Sequence, residues 1–430
     1  MKRRPRIGLA LAALACGSMA LAGCTGGGGS KAGAGRKAAA PPPVAVAIAP
    51  AANATNVPVS SEVVATATNG KITEVTLTDD KGAKVDGAMR PDGSSWLPSR
   101  PLDYKRGYTA QVTATDGAGK ATTSTAKFTT MAKPDTIVQT SLNLQNGQSY
   151  GVNLPLVVAF DPPVPKEARA AVQKRLLVST DPPQPGAWSW LDEGNQVSYR
   201  APDPWKPGTR ITARAALAGL PMGKAGFGDD DHTAVATVAP DAVRMDIDND
   251  TKQMYVYKDN RLVKTIPVSL GKPSTPSSSG NMVIMEKFDS TVFDTRGEPN
   301  GGYVVTVQDA QRLTWGGEFI HSAPWSEGEQ GYTNTSHGCV NVSSTTASWL
   351  MRTTHVGDLV RVRGTEVQLA RGNGWTAWND SWDQFVKGSA LPVPQDLKPA
   401  ATPPPAAVTP GNSAAPATTT PTPAPTNSGG

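Results

Sequence analysis

The sequence predicts a mostly β chain built from several folded units, and three observations carry that prediction. Short apolar/polar alternations recur through residues 44–131, separated by Asn-Gly, Lys-Gly, Asp-Gly and Gly-Ala-Gly turns, which is the pattern of antiparallel strands in a β-sandwich. The plan repeats over residues 132–240, and a third β-rich stretch from Asp241 carries one convincing helical pattern. A length of 430 residues with a Pro/Ala/Thr-rich end suits two or three cores rather than one.

The N-terminus sets the expected compartment. Lys2, Arg3, Arg4 and Arg6 precede a run of Leu, Ala, Gly and Met over residues 7–22, too short and too rich in small residues for a membrane span. Residues 1–23 therefore read as a cleavable export signal. The run closes on Leu21-Ala22-Gly23-Cys24, which resembles the bacterial lipobox. That resemblance implies a lipidated Cys24 and anchoring to the outer face of the cytoplasmic membrane; an ordinary secretory signal cut elsewhere is the alternative. Loss of the four basic residues takes the formal charge from +5 to +1, so a near-neutral body gives no electrostatic case for nucleic acid. Residues 24–43 lack large apolar side chains and read as a flexible linker.

In the first sandwich, residues 62–66, 74–78 and 108–114 alternate with period two. The string Pro101-Leu102-Asp103-Tyr104-Lys105-Arg106-Gly107 is echoed by Pro202-Asp203-Pro204-Trp205-Lys206-Pro207-Gly208. Each precedes an alternating strand, and each follows a tryptophan, Trp96 or Trp190. Two related immunoglobulin-like domains in tandem follow from that echo. One short helix is expected over residues 166–177, with Ala168, Ala171, Val172 and Leu176 on one face. Asp229-Asp230-Asp231-His232 lacks the Gly and distal Glu of a calcium loop and reads as a solvated turn. These two domains read as a rigid spacer.

The third unit spans residues 241–364. Strands are expected at 244–248, 253–258, 261–269, 282–287, 303–307, 318–321 and 358–362, with a helix over 344–354 capped by Ser343 or Ser344 and turning Ala347, Leu350 and Met351 inward. Residues 291–302, rich in Gly, Pro, Asn and acids, read as a lid.

Of three cysteines, Cys16 leaves with the signal and Cys24 is the lipobox residue, so Cys339 stands alone. An exported thiol without a disulfide partner points to chemistry. Free cysteine, with a pKa of about 8.5, needs a nearby base or cation. His337, two residues before Cys339, shares its face in an extended strand, whereas His321 reaches it only through tertiary folding; on spacing alone His337 ranks first. A Cys/His zinc site is the rival reading. It needs three or four ligands at close spacing, and only the distant His355 could join these three.

His321-Ser322-Ala323-Pro324-Trp325 followed by Ser336-His337-Gly338-Cys339-Val340-Asn341 resembles the signature of the L,D-transpeptidase catalytic domain. The order of segments resembles the lipid-anchored members with two immunoglobulin-like domains. The resemblance implies Cys339 as nucleophile, His321 as proton donor and acceptor, Ser322 as the residue orienting that ring, and backbone N–H groups at His337, Gly338 and Cys339 as the oxyanion site. It further implies that Tyr303, Gly316, Gly317 and Asn341 contact the peptide substrate, while Trp325 packs the loop between the motif halves.

Trp375, Trp378, Trp382 and Phe385 crowd a short extension over residues 365–389. They are expected to dock on the catalytic unit, burying large apolar area, with a sugar-stacking platform as the alternative. Residues 390–430 should be disordered. The resemblance to the L,D-transpeptidases implies a peptidoglycan cross-linking enzyme that joins tetrapeptide stems as donor and acceptor, needs no metal or organic cofactor, and is inhibited by carbapenems. A hydrolase on the same scaffold and a noncatalytic wall-binding lipoprotein are the alternatives.

Overall fold

The computed structural model describes residues 42–297, 302 and 304–398. The expected signal, Cys24, nearly all of the linker, Tyr303 and the chain beyond Lys398 lie outside the described residues.

In the first sandwich the strands Ala54–Val57, Ala121–Thr130, Gly107–Thr115 and Lys71–Asp79 form one sheet in that spatial order, accompanied by the pair Ala45–Ala49 and Val64–Thr68 and by the ribbon Gly87–Met89 and Trp96–Pro98. Alternation along Gly107–Thr115 sends Tyr108, Ala110, Val112 and Ala114 inward, where they meet Leu77, Trp96 and Phe128. In the second sandwich a five-stranded sheet (Ala187–Trp190, Gln196–Arg200, Leu156–Asp161, Ile137–Leu142, Phe227–Gly228) and a four-stranded sheet (Ser149–Tyr150, Asp231–Val238, Arg210–Ala216, Leu176–Asp181) share a core that includes Trp190 and Trp205.

Two expectations for this sandwich are corrected. The helix over 166–177 shrinks to a 3-10 turn, Lys166–Ala168, and a single turn of α-helix, Arg169–Gln173. Leu176 and Leu177 are drawn instead into antiparallel pairing with Ala215 and Arg214, so sheet hydrogen bonds outcompete the helical pattern. The acidic run is not a solvated turn either. Asp229 Oδ1 accepts from the Thr140 amide and hydroxyl, Asp231 pairs with Arg214 at 2.8 Å, and His232 Nε2 bonds the Thr140 hydroxyl at 2.8 Å.

Ion pairs join the sandwiches: Glu62 of the first holds Arg175 of the second at 2.9 Å and its own Arg90 at 2.5 Å. The second sandwich meets the third unit through backbone, with Gly151 N–H donating to the Val356 carbonyl (2.8 Å) and Asn153 N–H to that of Gly357 (3.1 Å).

In the third unit a six-stranded sheet runs in the order Arg261–Pro267, Gln253–Lys258, Val243–Asp248, Leu359–Arg363, Ser278–Val283, Val367–Gln368. A four-stranded sheet runs Glu286–Asp294, Val304–Arg312, Phe319–Ser322, Val340–Val342. The helix Ser344–Thr353, N-capped by the Ser343 hydroxyl, buries Ala347 and Leu350 in the same core as Met245, Ile320 and Val342. Met351 is only half-buried. The single strand expected over 282–287 is two strands, because Ile284 and Met285 carry the chain from one sheet to the other. Of the expected lid, Thr291 to Asp294 pair with Val304 to Val307 as the end of a hairpin, and residues 298–301 lie outside the described residues.

The tryptophan-rich segment docks on more than the third unit. Trp375 enters the core of the second sandwich, and Trp378 Nε1–H donates to the Asn153 carbonyl at 2.5 Å. Buried Arg200 of the same sandwich donates to the Ala377 and Asp380 carbonyls, both at 3.0 Å. Its guanidinium lies 4.4 Å from the Trp378 ring, 5.2 Å from Trp382 and 4.6 Å from Phe385. The extension thus straddles the two units, and a cation inside its aromatic cluster explains why.

Candidate active site

Two short parallel strands assemble the site. Phe319–Ser322 pairs with Val340–Val342 so that His321 stands opposite Asn341. Paired residues share a face, and alternation carries that face back to Cys339. His321, Cys339, Asn341, His337, Ser336, Thr335, Trp325 and Val305 line one cavity of about 280 Å³. Residues far apart in sequence, including both histidines, meet around one thiol.

His321 is almost fully buried, 3 % exposed, between the edge-on ring of Phe293 at 5.1 Å and the tilted ring of Trp325 at 6.0 Å. Its Nδ1 lies 2.9 Å from the Ser322 backbone carbonyl. A carbonyl only accepts, so Nδ1 carries the proton and Nε2 keeps the basic lone pair. Ser322 therefore orients the ring through its main chain, not its hydroxyl. The hydroxyl bonds Ser344 Oγ at 2.8 Å, at the start of the helix. Burial pushes the imidazole below its ordinary pKa, while the Ser322 carbonyl and the nearby Asn341 carboxamide pull the other way and lose. Asn341 donates from Nδ2 to Ser326 Oγ at 3.1 Å. Its Oδ1 is buried with no hydrogen bond of normal geometry.

Cys339 packs among Val307, Ala310 and Phe319, and its Sγ donates to the Gly317 carbonyl at 3.6 Å. The loop before it is held by residues 270–277. Ser336 N–H donates to the Leu270 carbonyl and Lys272 N–H to that of Ser336, both at 3.0 Å, and Ser277 Oγ donates to the Gly338 carbonyl at 2.6 Å. Gly338 has φ +110°, a backbone shape that side chains resist. Its N–H, one of the amides expected at the oxyanion site, donates to Ser336 Oγ at 3.2 Å in the resting geometry.

His337 lines the cavity, and its Nε2 sits 3.2 Å from Lys272 Nζ. An ammonium only donates, so His337 accepts there. The half-exposed ring thus faces a cation. Lys272 was not singled out from sequence, since a lysine in a Gly/Pro/Ser loop carries no local signal of partnership with a histidine sixty-five positions on. Glu318 was missed likewise: its carboxyl accepts from Ser278 N–H at 2.9 Å and burial raises its pKa. Trp325 is 57 % exposed and borders the cavity more than it packs the loop. Gly316 and Gly317 form an exposed turn beside the thiol.

A buried imidazole with a basic edge and a thiol on one wall of the same cavity, set in a β scaffold behind two sandwiches, define an enzyme-type site. Residues 242–362 match the L,D-transpeptidase catalytic domain family and residues 54–221 the bacterial Ig domain family. The chain is 35% identical over 343 residues to L,D-transpeptidase 2 of Mycobacterium tuberculosis (strain CDC 1551 / Oshkosh), covering 78% of this chain and 83% of that one. It is 33% identical to L,D-transpeptidase 5 of strain H37Rv, covering 80% and 75%. A solved LD transpeptidase in complex with imipenem shares 33% identity over 52% of this chain and 97% of its own, with a TM-score of 0.43. The chain belongs to the L,D-transpeptidase family, with an Ig-like region ahead of the catalytic domain.

Proposed function

We propose that the protein forms 3→3 cross-links in peptidoglycan through a thioester on Cys339. The observation that carries the reading is the shared cavity, with His321 Nε2 as its basic edge and Cys339 on its wall. His321 takes the thiol proton, and sulfur attacks the carbonyl carbon between the third stem residue and the terminal D-Ala. As that C–N bond breaks, the imidazolium returns the proton to the departing amine. The side-chain amine of a neighbouring stem then attacks the thioester, loses its proton through His321, and releases Cys339.

The tetrahedral oxyanion competes with the neutral Ser336 hydroxyl for the Gly338 N–H. A charged acceptor forms the stronger bond, so the amide swings to the intermediate only as charge develops. Asn341, Trp325 and the Gly316–Gly317 turn border the peptide's path, and Tyr303 joins them on family resemblance. A carbapenem would acylate the same sulfur, as the imipenem complex of a relative suggests. Lipid on Cys24 would tether the chain to the outer face of the cytoplasmic membrane, with the two sandwiches as a spacer into the wall.

The test is mass spectrometry of products from purified protein and a disaccharide-tetrapeptide. The expected product is a dimer lacking one D-Ala. Tripeptide with no dimer would replace the transferase by a hydrolase, and unchanged substrate would leave a wall-binding protein.

A further inference from the structure

We propose that Asn373 is a positioning residue for the reaction, holding the turn that carries the Cys339 thiol. Its Oδ1 accepts from Gly316 N–H at 2.7 Å. The next residue, Gly317, accepts from Cys339 Sγ through its carbonyl. Hydrogen bonds from Leu313 N–H to the Glu318 carbonyl at 2.9 Å and from Glu318 N–H to Thr314 Oγ1 at 3.1 Å close the base of that turn, and Asn373 holds its tip. Among the described residues, a methyl built on Gly316 would find its three nearest heavy atoms, at 3.2 to 3.7 Å, all in the Asn373 carboxamide, and one on Gly317 would meet nothing within 4 Å. At the tip itself the bond from Gly317 N–H to the Thr314 carbonyl is a long 3.4 Å.

Asn373 itself is well mounted. Its N–H donates to the Ala370 carbonyl at 3.1 Å. Two residues on, Trp375 N–H meets Met285 Sδ at 3.3 Å while its ring is buried in the core of the second sandwich. A carboxamide on a fixed base therefore sets the height of an exposed turn, and the turn's carbonyl sets the direction of the S–H bond. While that bond lasts it favours the protonated sulfur. The proton is held, and the sulfur aimed, until His321 draws the proton away. This inference rests on the reading of Cys339 as the nucleophile.

The experiment uses the full chain and follows two rates at Cys339 by peptide mass: acylation by imipenem and alkylation by iodoacetamide. Asn373→Ala should slow acylation about tenfold, the worth of one well-made hydrogen bond, while alkylation quickens about threefold because the sulfur has lost the bond that favours its protonated form. Asn373→Asp keeps an acceptor in place and should stay within about twofold of wild type in acylation. An Asn373→Ala protein equal to wild type, an Asn373→Asp protein as impaired as Asn373→Ala, or both rates falling together would overturn the proposal. Should wild type resist imipenem, the functional reading falls, and alkylation alone decides the role of Asn373.

Discussion

At the residue scale, the division of labour between the two histidines follows from burial and partners. His321 is enclosed, its Nδ1–H is committed to the Ser322 carbonyl, and the ring lines the cavity beside the Asn341 carboxamide. His337 is half-exposed and bonded to Lys272. Spacing alone had favoured His337, because i and i+2 share a strand face. The register of two parallel strands brings His321 into the same cavity, and nothing local encodes a partner that far along the chain. The depressed pKa of His321 has two consequences. In the fold its ring stays neutral where an unfolded histidine, at about 6.5, would take a proton. The unfolded chain then binds more protons, so this residue's contribution to stability is fully present above that pH and is lost as pH falls towards the folded value. An NMR titration of the His321 ring should show a midpoint below about 6.5; a midpoint at or above it would contradict the assignment.

At the scale of elements, the tryptophan-rich segment is the least expected part. Four aromatic rings in sequence announced an element docked on the catalytic unit, but not that it also docks on the second sandwich. Its anchor is Arg200, a cation contributed from a strand of the second sandwich, whose alternation gives no hint that its guanidinium will sit among three rings. Burial lowers that guanidinium to about 10, which leaves it charged at neutral pH and able to hold the rings by their faces. Arg200→Ala removes the cation and strips donors from the Ala377 and Asp380 carbonyls. The expected loss is about 3 kcal/mol of stability in denaturant unfolding; a loss below about 1 kcal/mol would show that the aromatic packing suffices without it. The short helix at 169–173 teaches the complementary lesson, since a weak helical face gave way where the neighbouring strand offered sheet partners.

At the scale of the molecule, strand alternation and turn chemistry made the mostly β architecture readable, because those signals are local. The candidate site residues were readable too, since the two motif halves are contiguous strings whose residue types suit thiol chemistry. What stayed hidden depends on contacts between distant segments: Lys272 on His337, Asn373 on Gly316, and the main-chain carbonyl of Ser322 in place of its hydroxyl. The proposed function rests on one claim, that Cys339 carries the acyl group. Its most direct test is peptide mapping by mass spectrometry after the protein is mixed with a disaccharide-tetrapeptide and quenched. The account predicts a disaccharide-tripeptide joined as a thioester to the Cys339 peptide, with D-Ala released and no adduct in Cys339→Ala. An adduct elsewhere, or a Cys339→Ala protein that still turns over substrate, would contradict it.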